Sequence, residues 1–218
     1  MTDTTKTALI TGASRGFGAA AAEALAAQGY HIIALARTTG ALEELDDRIK
    51  AKGGTATLVP LDIKEDAAVK QMCISINDRW GGLDLWLHTA VHAAPLSPAN
   101  HTAQKDWDNS FNINVRMAQQ LIVNLDPLLD HRKGTAIHCI DSRAGEKFFA
   151  AYGASKAAQR ALFNSWASEV EPLGRRVIGF SPNPMPTATR ARFYPGEDRN
   201  KLTPCADEAA RLLRQLEG

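Results

Sequence analysis

The chain has 218 residues, 44% of them hydrophobic, with 25 Lys and Arg against 24 Asp and Glu for a net charge of +1. That size and apolar share suit one globular domain with a substantial core, expected to span residues 1–218. The balanced charge gives no electrostatic reason to expect nucleic acid or an anionic membrane as a partner. The polar start Met1-Thr2-Asp3-Thr4-Thr5-Lys6 lacks the apolar core of a signal peptide, and no run reaches the ~18 apolar residues of a membrane span. Cys73, Cys139 and Cys205 show neither a metal-ligand spacing nor a disulfide framework, so a soluble cytoplasmic protein is expected.

In chain order, strand and helix signals alternate. Thr7 to Thr11 is a short apolar run ended by glycine, and Gly18 to Gln28 is an alanine-rich helix stopped by Gly29. His31 to Ala36 reads as a second strand, and Leu42, Leu45 and Ile49 mark one face of the next helix. A third strand at Thr55 to Leu61 precedes a helix from about Glu65 to Trp80, and Leu83 to Thr89 reads as a buried fourth strand. A long helix is expected from about Ala103 to Leu129, with Pro127 bending its last turn. Thr135 to Ile140 and Arg176 to Ser181 are the fifth and sixth strands, flanking a helix that carries Tyr152, and Ala206 to Leu216 closes the chain as a helix. Continuous apolar strands separated by helices imply an α/β fold, a parallel sheet covered on both faces in the Rossmann-type order 3-2-1-4-5-6. The proline-rich stretch at about 183–204 suits a lid beyond the carboxyl end of a strand.

Two motifs carry chemistry. The turn Thr11-Gly12-Ala13-Ser14-Arg15-Gly16-Phe17-Gly18 stands between a strand and a helix start, where glycines admit a pyrophosphate and free N–H groups favour its charge. A plain strand–helix turn is the alternative. Arg15 lies inside that turn and Arg37 follows the second strand, where an acid would select NAD; guanidiniums there would clamp a 2′-phosphate or simply be solvated. The second motif is Tyr152-Gly-Ala-Ser-Lys156, which puts phenol and ammonium on one helix face. A nearby ammonium favours phenolate, the state a tyrosine needs to shuttle protons near neutral pH. Taken singly, a packed Tyr, a loop Ser at 142 and an Asn at 114 capping a bend are the better readings.

Together these residues resemble the short-chain dehydrogenase/reductase family, whose turn has the form Thr-Gly-x-x-x-Gly-x-Gly, and the likeness covers essentially the whole chain. The resemblance implies that Tyr152 donates a proton to a carbonyl oxygen, Lys156 lowers the phenol pKa and holds the nicotinamide ribose, Ser142 positions the substrate oxygen, and Asn114 supports a proton-relay water. It places Gly12, Ser14, Arg15, Gly16, Phe17 and Gly18 around the phosphates, Arg37 on the 2′-phosphate, and Asp62 with Ile63 at the adenine. Asp62 reads equally as a turn residue. Ala90, Pro182, Met185 and Thr187 complete the expected cofactor contacts, with Thr187 on the carboxamide. NADP(H) is therefore favoured over NAD(H), and the expected activity is reduction of a ketone or aldehyde. Pocket walls are expected from Val91, His92, Phe148, Phe149, Met185, Phe193 and Tyr194. A carboxylate-bearing substrate is suggested by Arg190 and Arg192, which read equally as solvated. An NADPH-binding regulatory or scaffold protein is the alternative.

The chain departs from the family in four places. His88-Thr89-Ala90-Val91 replaces Asn-Asn-Ala-Gly, Asn183 stands where a glycine is usual, and Ser142 lies only ten residues before Tyr152. Asp141 replaces a small residue; pairing with Arg143 as a structural contact is the favoured reading, tuning of the site the alternative. With no seventh-strand signal after the last helix, six strands and a homodimer through the helices carrying Asn114 and Tyr152 are expected. The small residues Ala150, Ala151, Gly153, Ala154, Ala157 and Ala158 would permit close packing there.

Overall fold

A computed structural model describes residues 5–217; Met1 to Thr4, part of the polar start read above, lie outside the described residues. Six strands form one parallel sheet in the order β3-β2-β1-β4-β5-β6: β1 (Thr7–Thr11), β2 (His31–Ala36), β3 (Thr55–Pro60), β4 (Leu85–His88), β5 (Thr135–Cys139) and β6 (Arg176–Phe180). Alternation along each strand divides the core in two. Ala8, Ile10, Ile32, Ala34, Leu85 and Leu87 face the layer of α1 (Gly16–Ala27), α2 (Thr39–Ala51) and α8 (Cys205–Glu217). Leu9, Ile33, Leu35 and Trp86 face α3 (Asp66–Trp80), α5 (Met117–Arg132) and α6 (Ala150–Val170). Because both faces are covered, β1 is buried at every position, which explains why it reads as a continuous apolar run.

Three elements differ from the sequence reading. The fourth strand is shorter than expected, because Leu83 N–H bonds Leu128 O at 2.9 Å on one side and the chain turns at Thr89 on the other. The long helix is divided: α4 (Gln104–Phe111) passes into a π-helical turn at Asn112–Arg116 before α5, and Pro127 lies inside α5 without ending it. Such a turn widens the helix by one residue and commonly marks a functional site. The expected lid contains a short helix, α7 (Ala188–Phe193), whose N-cap Thr187 accepts from Arg190 N–H at 3.2 Å. No helix among the described residues is long and apolar enough to cross a membrane.

Candidate active site

The carboxyl ends of β1, β4 and β5 bring the two motifs to one edge of the sheet. At the glycine turn the packing is tight enough to exclude side chains. Gly12 has φ +87°, and a Cβ there would sit 2.8 Å from the Ala90 nitrogen and 2.8 Å from Thr89 Oγ1. A Cβ on Gly18 would strike the Gly12 carbonyl oxygen. Thr89 locks this contact by donating its hydroxyl to Thr11 O at 2.9 Å and Gly12 O at 3.3 Å. The altered segment after β4 thus supports the turn rather than disrupting it. Arg15, the N-cap of α1, makes no side-chain cap and no acid occupies the first turn, leaving the N–H groups of Gly16, Phe17 and Gly18 without a side-chain acceptor. Thr187 reaches this turn, its methyl 3.3 Å from where a Gly16 Cβ would stand. Arg15 and Arg37 are exposed and form no ion pair among the described residues. This donor-rich cradle fits a phosphorylated dinucleotide. Ala90 and Pro182 are half-buried at the same strand ends, and Met185 is buried against Phe17 and Phe180. Beyond β3, Asp62 accepts from Lys64 N–H at 3.1 Å, the turn contact weighed above, beside the buried Ile63.

The catalytic motif is differently placed. Tyr152 sits in the first turn of α6, only 4% exposed, and its hydroxyl donates to Asp141 Oδ2 at 2.8 Å. Asp141 Oδ1 pairs with Arg143 Nη1 at 2.7 Å, the partner expected from sequence. Burial first, then the Asp141 carboxylate, hold the Tyr152 phenol well above its ordinary range, with Arg143 pulling the other way. Lys156 is 7% exposed; its ammonium donates to Cys139 O at 2.9 Å and to the Gln159 side-chain oxygen, and burial lowers its pKa. The expected pressure of Lys156 toward phenolate is therefore absent in this arrangement: the phenol is bound to a carboxylate and the ammonium to neutral oxygens.

Asn114 lies in the π-helical turn, fully buried. Its Oδ1 accepts from His92 N–H at 2.7 Å, and its Nδ2 donates to His92 O at 3.0 Å and Ser155 Oγ at 2.9 Å. Its main-chain oxygen accepts from Gln159 Nε2 at 2.7 Å, joining Asn114 through Gln159 to Lys156. Sequence reasoning missed Ser155 and Gln159, although their spacing from Tyr152, three and seven residues, put them on the same face. Ser142 is exposed in the turn after β5 and makes no hydrogen bond among the described residues. In this loop Arg143 O packs 2.7 Å from where a Gly153 Cβ would stand, and Asp141, not Ser142, meets the phenol. Gly153 thus makes room for a close contact within the chain.

Around the phenol, Phe149, Phe193 and Ala93 form an apolar cluster with Tyr152, and Val91 and Tyr194 pack against it. Phe193 meets the Tyr152 ring edge-on at 4.8 Å. Two expected wall residues lie elsewhere. Met185 belongs to the core beneath α1, and Phe148, with φ +71°, is 44% exposed and turned outward. Arg190 is held by Glu197 at 2.6 and 2.7 Å and lies over Tyr194 at 4.0 Å, so it is a lid strut, not a free cation. Asn183 donates to Glu208 Oε1 at 2.8 Å, fastening the lid to α8. His88, which replaces an asparagine, shares a 2.8 Å hydrogen bond with Thr11 Oγ1 and stacks near Phe163. Burial pushes its pKa down to about 3, and that of neighbouring His138 to about 4, so both are neutral packing groups.

A sequence profile of the short chain dehydrogenase family matches residues 6–198. A fatty acyl-CoA reductase of Acinetobacter baylyi is 34% identical over 171 residues, covering 76% of this chain and 57% of the relative. The short-chain dehydrogenase/reductase eriH of Hericium erinaceus is 32% identical over 209 residues, covering 91% of this chain and 82% of the relative. Among solved structures, a short chain dehydrogenase from Shigella flexneri complexed with NADP is 29% identical with a TM-score of 0.87, over 93% of this chain and 87% of that one. An NAD+-bound xylitol dehydrogenase is 26% identical with a TM-score of 0.76, over 81% of this chain and 69% of that one. The chain thus spans less than two thirds of the length of the acyl-CoA reductase it matches.

Proposed function

The chain belongs to the short-chain dehydrogenase family, and from that premise we propose that it reduces a ketone or aldehyde to an alcohol with NADPH. The observation that carries this reading is the presence of Tyr152, Lys156 and Asn114, all buried, at the same sheet edge as the glycine turn. Bound there, the dihydronicotinamide supplies the hydride. Gly12, Ser14, Gly16, Phe17 and Gly18 line the phosphates. Arg15 and Arg37 take the 2′-phosphate, a preference supported by their lack of carboxylate partners and by the NADP-bound Shigella structure. Asp62 and Ile63 lie toward the adenine, and Ala90, Pro182 and Thr187 toward the nicotinamide.

In reduction Tyr152 exchanges Asp141 for the substrate oxygen and gives it the phenolic proton. Lys156 leaves Cys139 O and Gln159 to stabilise the phenolate that remains. The Asn114–Gln159 link fixes the return position of its ammonium. Ser142 must turn inward to orient the oxygen, and α7 must lift Phe193 from the phenol to admit substrate. The cluster of Phe149, Phe193, Val91 and Tyr194 suits an apolar carbonyl compound. Three free thiols support a reducing, cytoplasmic setting. The exposed Val123 and Trp107 on α5 and α4, with Ala157 exposed on α6, support a homodimer through these helices.

NADPH consumption across ketones, aldehydes and quinones, with NADH and Tyr152→Phe in parallel, tests the reading. Turnover that needs NADPH and vanishes in the variant is expected. The mutual satisfaction of Tyr152, Asp141 and Arg143 under Phe193 favours one second reading, an NADPH-binding regulatory protein. Tight NADPH binding with no turnover of any carbonyl would select it.

A further inference from the structure

We propose that Asp141 is a positioning residue that holds the Tyr152 phenol in its protonated, proton-donating form and thereby sets the chain toward carbonyl reduction over alcohol oxidation. This deepens the reductase reading and rests on it. The geometry is specific. One carboxylate oxygen accepts the phenolic hydrogen at 2.8 Å, and the other is fixed by Arg143 at 2.7 Å. The loop is pinned further where Arg143 N–H donates to Asp141 Oδ1 at 3.3 Å. Ser142, the residue expected to share an oxygen with the phenol, is outside this arrangement.

The titratable and charged groups around the phenol come from four elements, and Tyr194, just past α7, packs against the same cluster. From β5 and the loop after it come Cys139, Asp141 and Arg143; from its own helix, Lys156, whose ammonium is spent on Cys139 O and Gln159. The loop after β4 contributes Ala93, preceded by His92, and α7 contributes the ring of Phe193, with Arg190 engaged by Glu197. Asp141 is the acceptor in contact with the hydroxyl, and Arg143 the countervailing charge.

The two directions need opposite states of one group. Reduction uses the phenol as acid and persists up to its pKa; oxidation uses the phenolate as base and begins only above it. A carboxylate against the hydroxyl raises that pKa. It therefore extends reduction to higher pH and suppresses oxidation near neutrality. The proton Tyr152 gives to the substrate returns from solvent, so the step balances without a further reactant.

The test is a spectroscopic titration of phenolate in the near ultraviolet, which needs neither substrate nor turnover. With three tyrosines in the chain, the Tyr152 contribution is the difference between each protein and its Tyr152→Phe counterpart. Asp141→Asn and Asp141→Ser should each move the Tyr152 step at least one unit down in pH, a rise of about tenfold in phenolate at fixed pH. Arg143→Gln should move it the other way. Oxidation profiles of the active variants should follow the same order. A Tyr152 step unchanged in both Asp141 variants, or one shifted in the same direction by Asp141→Asn and Arg143→Gln, would overturn the proposal. A titration that behaves as stated in a protein that reduces no carbonyl would leave this role intact and remove the reductase reading. Turnover with a titration indifferent to Asp141 would do the reverse.

Discussion

The two halves of the carboxyl edge are prepared to different degrees. At the end of β1 the donors stand open: the first N–H groups of α1 have no side-chain acceptor, and Arg15 and Arg37 have no carboxylate partner among the described residues. At the end of β5 the buried groups are already engaged, Tyr152 by Asp141, Lys156 by Cys139 O and Gln159, Asn114 by His92 and Ser155, while Ser142 stays exposed. The difference follows from burial. Exposed cations and helix-end N–H groups remain solvated at little cost, whereas a buried phenol or ammonium must find partners inside the chain. A phosphate site can wait in water; a proton-transfer site must hold substitutes for its substrate.

Lys156→Met should break the catalytic half. It removes the buried ammonium that is to stabilise the phenolate after proton transfer and should lower turnover by roughly 10²–10³-fold, measured as kcat for NADPH oxidation, with the fold intact by circular dichroism. At the open half, Gly12→Val forces φ +87° on a β-branched residue and drives its Cβ onto the Ala90 backbone. A cost of about 1–3 kcal/mol in strain alone is expected, seen as a lowered urea midpoint with lost nucleotide affinity. Arg37→Ala tests the open cations. NADPH binding should weaken by roughly 10- to 100-fold, the worth of hydrogen bonds to a charged group, while NADH binding is unchanged. Equal loss for both nucleotides would mean that Arg37 does not read the 2′-phosphate.

A pH effect concerns the strand end between the halves. His88 is neutral in the fold, its pKa depressed from the usual 6.5 to about 3, so between those values the unfolded chain binds a proton that the native chain refuses. Stability should therefore fall as pH drops from about 6.5 toward 3, by on the order of a few kcal/mol if the residue stays buried. His138 adds to the same limb until about pH 4. His88→Asn keeps a polar partner for Thr11 and should flatten it, as read from urea unfolding at stepped pH.

The fold and the glycine turn were legible in the sequence because they rest on local rules. Continuous apolar runs fix a parallel sheet, and the spacing of Gly12, Gly16 and Gly18 fixes a turn too tight for a Cβ. The catalytic half was legible in membership, not in wiring. Tyr152, Lys156 and Asn114 come together as their motifs imply, but the path of the loop between β5 and α6 decides which side chain faces the phenol, and here that side chain is Asp141, with Ser142 exposed. The π-helical turn at Asn114 and α7 were missed for related reasons. Both depend on what the segment packs against, although the Thr187 N-cap and Arg190 three residues later were an available local signal for α7.

The central claim is that one chain joins an open NADPH site to a tyrosine that moves a proton. Its most direct test measures NADPH affinity by fluorescence titration and single-turnover NADPH oxidation on the same samples of unsubstituted protein and Tyr152→Phe. Equal affinity, with oxidation slowed by roughly 10²–10⁴-fold in the variant, is the predicted result. Equal oxidation rates, or no NADPH binding by either protein, would contradict it.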